Sequence, residues 1–318
     1  MSGKNLLKPH GSPHLASGFT LIGLVVVTAG MAMLALLLLP TLSRSRQQST
    51  NNICLNNLKQ LTLAWNAYNQ DNRGRFPADE EGDVTMQFFA PEEVKPWVNG
   101  WLNYSGGTDW SDTNVQFLIN GQYTSMGPYV GSPGPFKCPA DPSCAWGRTG
   151  QPRVRSVSMN NAIGTAIDGT IGGIGLWLNG GNGPGPYLIY SRESDISRPS
   201  PANLWLFIDE HPDSINDGTF AIEMSTISDN SAYWADHPTC LHNGACGVGF
   251  CDGHAVMHKW TESNWKSTLD YIPAYTGRFG GPNPVTGLGN TADLRWLGGH
   301  TSAKKDPTQA LGFTMVPD

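Results

Sequence analysis

The sequence predicts an α+β fold, in which one long N-terminal helix packs against an antiparallel β-sheet body with long loops rich in Gly, Pro and Trp. Three observations predict this class: an uncharged apolar run over Phe19–Leu39, an amphipathic stretch over 41–70, and short β-type runs after residue 150. The 318 residues include 38 Gly and 23 Pro, which favours a loop-rich body over a helical bundle.

The apolar run at the N-terminus has the length of a membrane span. Its 21 residues would form a helix of about 32 Å, which matches the hydrocarbon thickness of a bilayer. The apolar region of a cleaved secretory signal is shorter, at about 7–15 residues. The run therefore predicts a single transmembrane helix that stays on the protein.

The second part of the predicted helix is amphipathic and follows Pro40, where we expect a kink. Apolar residues recur there at spacings of four and three, which draws one stripe along a helix; they are Cys54, Leu58, Leu61, Trp65 and Tyr68. We interpret this stripe as core packing and not as a cofactor site. The turn formers after Asp71, with Gly74 and Pro77, end the helix.

The remainder of the chain predicts a loop region that aromatic residues hold in place, followed in sequence by the strands of a sheet. Residues 77–150 are interrupted by many Pro residues and contain Trp97, Trp101 and Trp110. Seven later runs are bounded by Gly, Pro, Asn or Asp and predict strands; they are Val154–Met159, Gly175–Leu178, Tyr187–Tyr190, Leu204–Asp209, Thr219–Glu223, Gly247–Cys251 and Ala255–Trp260. The Asp252-Gly253 pair predicts a two-residue type I′ hairpin that places Phe250 opposite Ala255.

The charge pattern excludes one functional class. Residues 1–70 contain five basic and no acidic residues, which gives them a charge of +5. The other residues carry a charge of −11, and the net charge of the chain is −6. An acidic body does not suit a nucleic-acid binder that is held by phosphate contacts. We therefore predict no nucleic-acid partner.

The six cysteines are even in number, which predicts disulfide bonds in an exported chain. Two equal spacings suggest bridges from Cys138 to Cys144 and from Cys240 to Cys246, which leaves Cys54 and Cys251 as a third pair. The alternative is a structural zinc site formed by Cys240, Cys246, Cys251 and a histidine.

No catalytic residues are predicted, because no nucleophile, base and orienting group occur at a recognisable spacing. A calcium site formed by Asp209, Glu210 and Asp252 is the cofactor alternative, and otherwise no cofactor is expected. In the structural interpretation Asp252 serves the turn and His242 makes a packing hydrogen bond. His254 and His258 lie about 13 Å apart on one strand and cannot share an ion.

The N-terminal residues Gly18-Phe19-Thr20-Leu21-Ile22, between a basic leader and one apolar helix, resemble type IV pilins and type II secretion pseudopilins. This resemblance implies a leader over 1–18, which prepilin peptidase removes between Gly18 and Phe19 before the new N-terminus is methylated. It also implies a transmembrane half over 19–39, an exposed helical half over 40–72 and a periplasmic body over 73–318. The implied partners are other pilin subunits, the secretion or pilus assembly machinery and the inner membrane.

Two further features concern the same family. Gly23 stands where its members usually have a glutamate, which leaves a role at the filament tip as an alternative to the shaft. His242, nine residues and then Asp252-Gly253 resemble the processing-associated domain of large pilin-like proteins. Other segments agree with that group, namely Cys54–Gln60, Cys138–Asp141, Arg155–Asn160 and Phe207–Glu210.

The predicted function is therefore that of a pilin-like structural subunit of a secretion pseudopilus or a pilus-like filament. The alternative is a membrane-tethered carbohydrate-binding module or adhesin, since stacked aromatic rings often bind sugars. The tryptophans that motivate it are Trp97, Trp101, Trp110 and Trp177, for which core packing is the competing interpretation.

Overall fold

A computed structural model of the chain describes residues 21–79, 95–104, 111–165, 174–261, 269–272, 283–286 and 291–317. The chain divides into two compact units, Met1–Gln48 and Ser49–Asp318. Helices and a mixed β-sheet occur together, which confirms the α+β class.

The first element is helix α1, which covers Leu21–Asp71 and continues through Pro40 as one helix. Arg73 and Gly74 follow it with φ values of 58° and 75°, which confirms the predicted end of the helix. Within the stretches of the chain that the structure describes, no helix is both long enough and apolar enough to span a membrane.

The predicted apolar stripe is buried in the part of α1 that belongs to the second unit. Cys54, Leu58, Leu61 and Trp65 each expose 2% of their surface or less, and Tyr68 is half-buried. Leu63, which the stripe omits, is 67% exposed. The spacing therefore identified the face of the helix that meets the core.

The described residues of the body contain nine strands, three further α-helices and short 3-10 turns. The strands are β1 Cys144–Trp146, β2 Thr149–Pro152, β3 Val157–Asn160, β4 Trp205–Asp209, β5 Thr219–Phe220, β6 Ser231–Trp234, β7 Ala245–Phe250, β8 Ala255–Lys259 and β9 Asn283–Thr286. The helices are α2 Gln116–Ile119, α3 Gly127–Val130 and α4 Ala292–Gly299, and the 3-10 turns are Gly134–Phe136, Leu176–Asn179, Glu193–Asp195 and Met224–Thr226.

Five strands form the central sheet in the order β5-β3-β4-β7-β8. Four of them are joined by antiparallel pairs, but β3 and β5 pair in parallel. The sheet is therefore mixed, which corrects the predicted antiparallel sheet. Two separate pairs, β1 with β2 and β6 with β9, complete the described strands.

The two faces of the central sheet have different neighbours. A Cβ on Gly247 or Gly249 of β7 would point at Leu58 of α1, so this face of the sheet packs against the helix. Residues at alternate positions point to the other face, where the ring of Phe250 lies 5.9 Å from that of His300, directly after α4. Helix α1 and helix α4 therefore cover opposite faces of the sheet.

Two predicted strands are not strands. Gly175–Leu178 belongs to the 3-10 turn Leu176–Asn179, because Gly175 and Gly180 adopt φ values of 74° and 65° at its two ends. Tyr187–Tyr190 forms isolated bridges only, at its first and last residues, since its backbone bonds to separate segments of the chain. Strands β1, β2, β6 and β9 and helices α2, α3 and α4 were not predicted.

The hairpin between β7 and β8 lies where it was predicted, but the predicted register differs from the observed one by one residue. Gly249 pairs with Ala255, and Phe250 lies opposite His254 instead of Ala255. Gly253 has a φ of 96° and Asp252 does not have a positive φ, so a type I′ turn is not formed. The three-residue loop Cys251–Gly253 instead has the left-handed glycine typical of loops that end in a bulge.

We expect Leu61→Ala to destabilise the protein by about 2–5 kcal/mol, because it removes a fully buried side chain from the hydrophobic core. Leu63→Ala, two positions along the same helix, should change the free energy of unfolding by no more than about 0.5 kcal/mol. Chemical denaturation of the full chain in mild detergent measures both values. Equal effects of the two substitutions would contradict the packing described here.

Candidate functional site

Four buried side chains from distant parts of the chain converge beneath helix α1. They belong to Cys54, Cys138, Asp209 and His242, and their ligand-type atoms all lie within 4.8 Å of one another. None of the four exposes more than 4% of its surface. We call this set the Cys-Asp-His cluster.

A different local structure positions each member of the cluster. Cys54 is the first residue of the buried stripe of α1, and Asp209 is the last residue of β4. Cys138 follows the 3-10 turn Gly134–Phe136, and its backbone N–H donates a hydrogen bond of 2.7 Å to Ser156 Oγ. The cluster therefore joins a helix, a loop and the central sheet.

His242 is held in place by a tight turn that leads into β7. Asn243 and Gly244 adopt φ values of 59° and 84°, and the backbone N–H of His242 donates to the carbonyl of Ala245 over 3.2 Å. Positive φ at both central residues is typical of a type I′ turn, for which Asn-Gly is a favoured pair. The type I′ signal of this region therefore belongs to Asn243-Gly244, and not to Asp252-Gly253 as predicted.

Hydrogen bonds connect the members of the cluster in pairs. The Cys54 thiol donates to Asp209 Oδ2 over 2.6 Å, and Cys138 Sγ lies 3.0 Å from His242 Nε2. His242 Nδ1 lies 2.7 Å from Asn51 Oδ1, which is an acceptor only. Nδ1 therefore carries the proton, and the lone pair of Nε2 points into the cluster.

Burial favours the uncharged forms of these groups. It raises the pKa of Asp209 to about 7, although the Cys54 thiol and the Gly247 backbone lower it by hydrogen bonding. The hydrogen bond with Cys138, and then burial, raise the pKa of the Cys54 thiol far above its usual range. Burial also lowers the pKa of His242, which keeps its ring neutral.

Cys138 is subject to opposing effects. The hydrogen bond with Cys54 lowers the pKa of the Cys138 thiol, whereas burial and the Asp209 carboxylate raise it. The net shift of the pKa is upward. A thiol with a raised pKa is a poor nucleophile at neutral pH.

The arrangement of Cys138, His242 and Asn51 has the connectivity of a cysteine nucleophile, its base and an orienting amide. Reactive cysteines, however, are partly exposed and have a lowered pKa. Cys138 is 2% exposed and His242 is 3% exposed, so a substrate carbonyl does not reach the sulfur. The second thiol and the carboxylate in the same cluster suit metal ligation better than acyl transfer.

Gly247 on β7 borders the cluster directly. A Cβ built on this residue would lie 2.6 Å from Cys54 Sγ and 3.1 Å from Asp209 Oδ2. Any side chain at this position would therefore occupy the space between the helix and the carboxylate.

The three residues of the predicted calcium site do not come together. The Asp209 carboxylate lies in the Cys-Asp-His cluster, and the Glu210 carboxylate accepts hydrogen bonds from Ser158 and Ser214. Asp252 lies in the exposed hairpin turn, where its carboxylate contacts His254 Nδ1 over 2.6 Å. Neighbouring strand residues point to opposite faces, which separates Asp209 from Glu210.

The cysteines also differ from their predicted arrangement. All six are described, and none is joined to another by a disulfide bond. Cys246 faces away from α1, since Gly247 faces it, and Cys251 lies five residues farther along in the hairpin loop. The alternative zinc set of Cys240, Cys246 and Cys251 is therefore not assembled, and Cys54 lies beside Cys138 instead.

The other predicted site residues have separate positions. Gly18 and Phe19 lie outside the described residues, as does Trp110. Gly23 is half-buried in α1, which also contains Pro40. Gly253 occupies the hairpin loop. Trp97 and Trp101 are core residues and Trp177 is 40% exposed, so these three do not form one exposed aromatic surface.

The sequence interpretation missed Cys54 and Cys138 as partners of Asp209 and His242, and it missed Asn51 entirely. A signal was present in the segments quoted for the second resemblance. Cys54 and Cys138 each begin one such segment, Asp209 lies in another, and His242 begins the His-x9-Asp-Gly segment. Four of the five segments therefore supply one ligand-type side chain each to a single point in the fold, and Arg155–Asn160 supplies none.

We expect Gly247→Ala to destabilise the protein by about 1–3 kcal/mol, since the new methyl group would overlap Cys54 and Leu58. Gly249→Ala is the matched control on the same face of β7, where the closest atom is Leu58 Cβ at 3.4 Å. Its effect should be below about 1 kcal/mol, because alanine suits a strand better than glycine. Denaturant titration of the full chain tests the pair, and a neutral Gly247→Ala would refute the close approach of helix and strand.

Comparison with known proteins adds no family to this description. No model of a protein family matches the chain, and neither a curated protein nor a solved structure is found to match it.

Proposed function

We propose that the chain is a pilin-like structural subunit of a type II secretion pseudopilus or a related type IV pilus-like filament. The observation that carries this proposal is helix α1, which combines an exposed apolar stretch with a buried stripe in one continuous helix. The buried stripe packs in the core of the body, and the exposed stretch is available to bind other molecules.

The exposed stretch is strongly apolar. Among the side chains whose burial is described between Leu21 and Leu39, eleven large hydrophobic ones are exposed, including Leu21 at 78%, Ile22 at 77% and Leu36 at 71%. Exposure of so many neighbouring apolar side chains to water is unfavourable. In our proposal the segment Phe19–Leu39, part of which lies outside the described residues, crosses the inner membrane as a single-pass helix, and it packs against other pilin subunits after assembly.

The body does not need a catalytic role in this proposal. The side chains that the structure buries most deeply form a packed core around α1 and the central sheet. In the proposed arrangement the body lies in the periplasm before assembly and faces outward in the filament. Its acidic charge, compared with the basic N-terminal region, suits two different surroundings.

The processing step in this proposal is removal of residues 1–18 by prepilin peptidase, which makes Phe19 the new N-terminus. We expect Gly18→Leu to abolish cleavage, because a bulky side chain replaces the small residue at the junction. Gly11→Leu, within the same leader, should still be processed. Intact-mass measurement of each chain from cells that contain a prepilin peptidase gives the result.

An intact leader on the unsubstituted chain in such cells would overturn the proposal. Equal processing of the two variants would show that Gly18 does not define the junction.

Gly23 bears on the position of the subunit in a filament. Without a carboxylate at this position, the N-terminal ammonium group of a neighbouring subunit has no charged partner in an apolar surrounding, which is unfavourable. We expect Gly23→Glu to increase the number of copies per filament, measured by immunogold labelling of sheared filaments. Wild-type labelling along the whole shaft, unchanged in Gly23→Glu, would exclude a role at the filament tip.

A further inference from the structure

We propose that the Cys-Asp-His cluster is a structural metal site, in which Cys54, Cys138, Asp209 and His242 bind one zinc ion. The cluster is independent of the proposed assembly function, because its members lie in the second unit and not in the exposed apolar stretch.

The donor atoms select the class of metal. Two thiols and an imidazole are ligands for zinc and similar transition ions, whereas calcium and magnesium require oxygen ligands. A single carboxylate completes a set of four, which is the usual coordination number of a structural zinc site. Cys54 and Cys138 therefore determine that the site binds zinc and not calcium.

The distances agree with one ion at the centre. With zinc–ligand bonds of about 2.0–2.3 Å, the ligand atoms of a tetrahedral site lie about 3.3–3.8 Å apart. In the cluster, Cys54 Sγ and Asp209 Oδ2 are 2.6 Å apart, Cys138 Sγ and His242 Nε2 are 3.0 Å apart, and no pair exceeds 4.8 Å. The first two distances are shorter than the tetrahedral values and the upper limit is longer, by about 1 Å or less, so binding of an ion would require side-chain shifts of that size.

Surrounding groups orient two of the ligands toward the centre. Asn51 Oδ1 accepts the proton of His242 Nδ1, which leaves Nε2 to bind the metal. The backbone N–H of Ala140 donates to Cys138 Sγ over 3.4 Å, a contact that stabilises a thiolate. Such hydrogen bonds to the far side of metal ligands are a regular feature of protein metal sites.

Asp209 supplies an independent observation. Its side chain is 1% exposed, and among the described residues its Oδ1 atom has no hydrogen-bond partner. A buried carboxylate oxygen without a partner is unfavourable, and a bound cation would satisfy it. Gly247 leaves the space beside this carboxylate open, because a Cβ there would lie 3.1 Å from Oδ2.

The burial of all four ligands indicates a structural role for the ion. Catalytic zinc sites keep one position open to solvent or substrate, and structural sites are closed by four protein ligands. The four ligands come from a helix, a loop, a strand and a turn that are distant in sequence. Since the unfolded chain holds no such site, binding of zinc would stabilise the folded body and fix α1 to the sheet.

The test uses the full chain in mild detergent, purified with a thiol reductant and loaded with zinc sulfate. After dialysis against metal-free buffer we expect about one zinc ion per chain by mass spectrometry of the metal. X-ray absorption at the zinc edge should show two sulfur neighbours and two nitrogen or oxygen neighbours. These two measurements need no variant, so they hold even if substitutions of the ligands prevent folding.

A pair of asparagine variants tests the site without changing a ligand. Asn51→Ala should weaken zinc affinity by about 10–100-fold, since it removes the acceptor that orients His242. Asn52→Ala, at the next and exposed position of α1, should leave the affinity unchanged. Competition with a zinc-binding dye measures both affinities. Cys144→Ser, which lies outside the cluster, should retain one zinc ion, whereas Cys138→Ser should lose it.

Three results would overturn the proposal. The first is a reduced, folded chain that retains no zinc. The second is bound zinc without sulfur neighbours. The third is a disulfide bond between Cys54 and Cys138 in protein isolated from cells under thiol-blocking conditions, found by peptide mass spectrometry together with the absence of metal.

Discussion

The packing of helix α1 against a glycine-bearing face of the central sheet is the contact on which the rest of the body depends. Leu58 is fully buried there, and Gly247 and Gly249 on β7 allow the helix to come close to the strand. Without those glycines the helix would have to move outward, because a Cβ at Gly247 would already overlap Leu58. The depth of this contact places Cys54 beside Asp209.

The same contact places polar groups where water does not reach them. A buried carboxyl group, two thiols and an imidazole each need a partner, because an unpaired polar group in a core is unfavourable. In this chain they are partners of one another, with Asn51 supplying the remaining acceptor. The body thus contains a polar cluster beside a tightly packed helix. The position of α1 against β7 determines where the members of the cluster lie.

Local patterns were sufficient to predict the elements that depend on local interactions. The stripe of α1 and its end after Asp71 follow from helical spacing and from turn residues, and both are confirmed. The position of the β7–β8 hairpin was also predicted, but its register depends on whether Asp252 adopts a positive φ, which composition does not determine. The 3-10 turn at Leu176–Asn179 has apolar residues like a strand, and only the glycines on either side distinguish it.

The cluster could not be predicted from local patterns, because its members meet only after the sheet has formed. Cys54 and Asp209 are 155 residues apart, and Cys138 and His242 are 104 apart. The equal spacing of the cysteines favoured bridges between cysteines close in sequence. In the fold, however, Cys54 lies beside Cys138, and the separation of these two residues in sequence does not indicate this contact. Pairing of distant residues is decided by topology, and topology depends on the whole set of strands.

The order of the four segments along the chain has a consequence for biogenesis. During synthesis Cys54 and Cys138 are both made before Asp209 and His242 exist, so the two thiols are available to each other while their later neighbours are missing. Oxidation in that interval would join them and use up both sulfur atoms, whereas prompt folding would enclose them in a closed interior. Once the sheet is complete, both sulfur atoms lie in a buried cluster with the later-made Asp209 and His242.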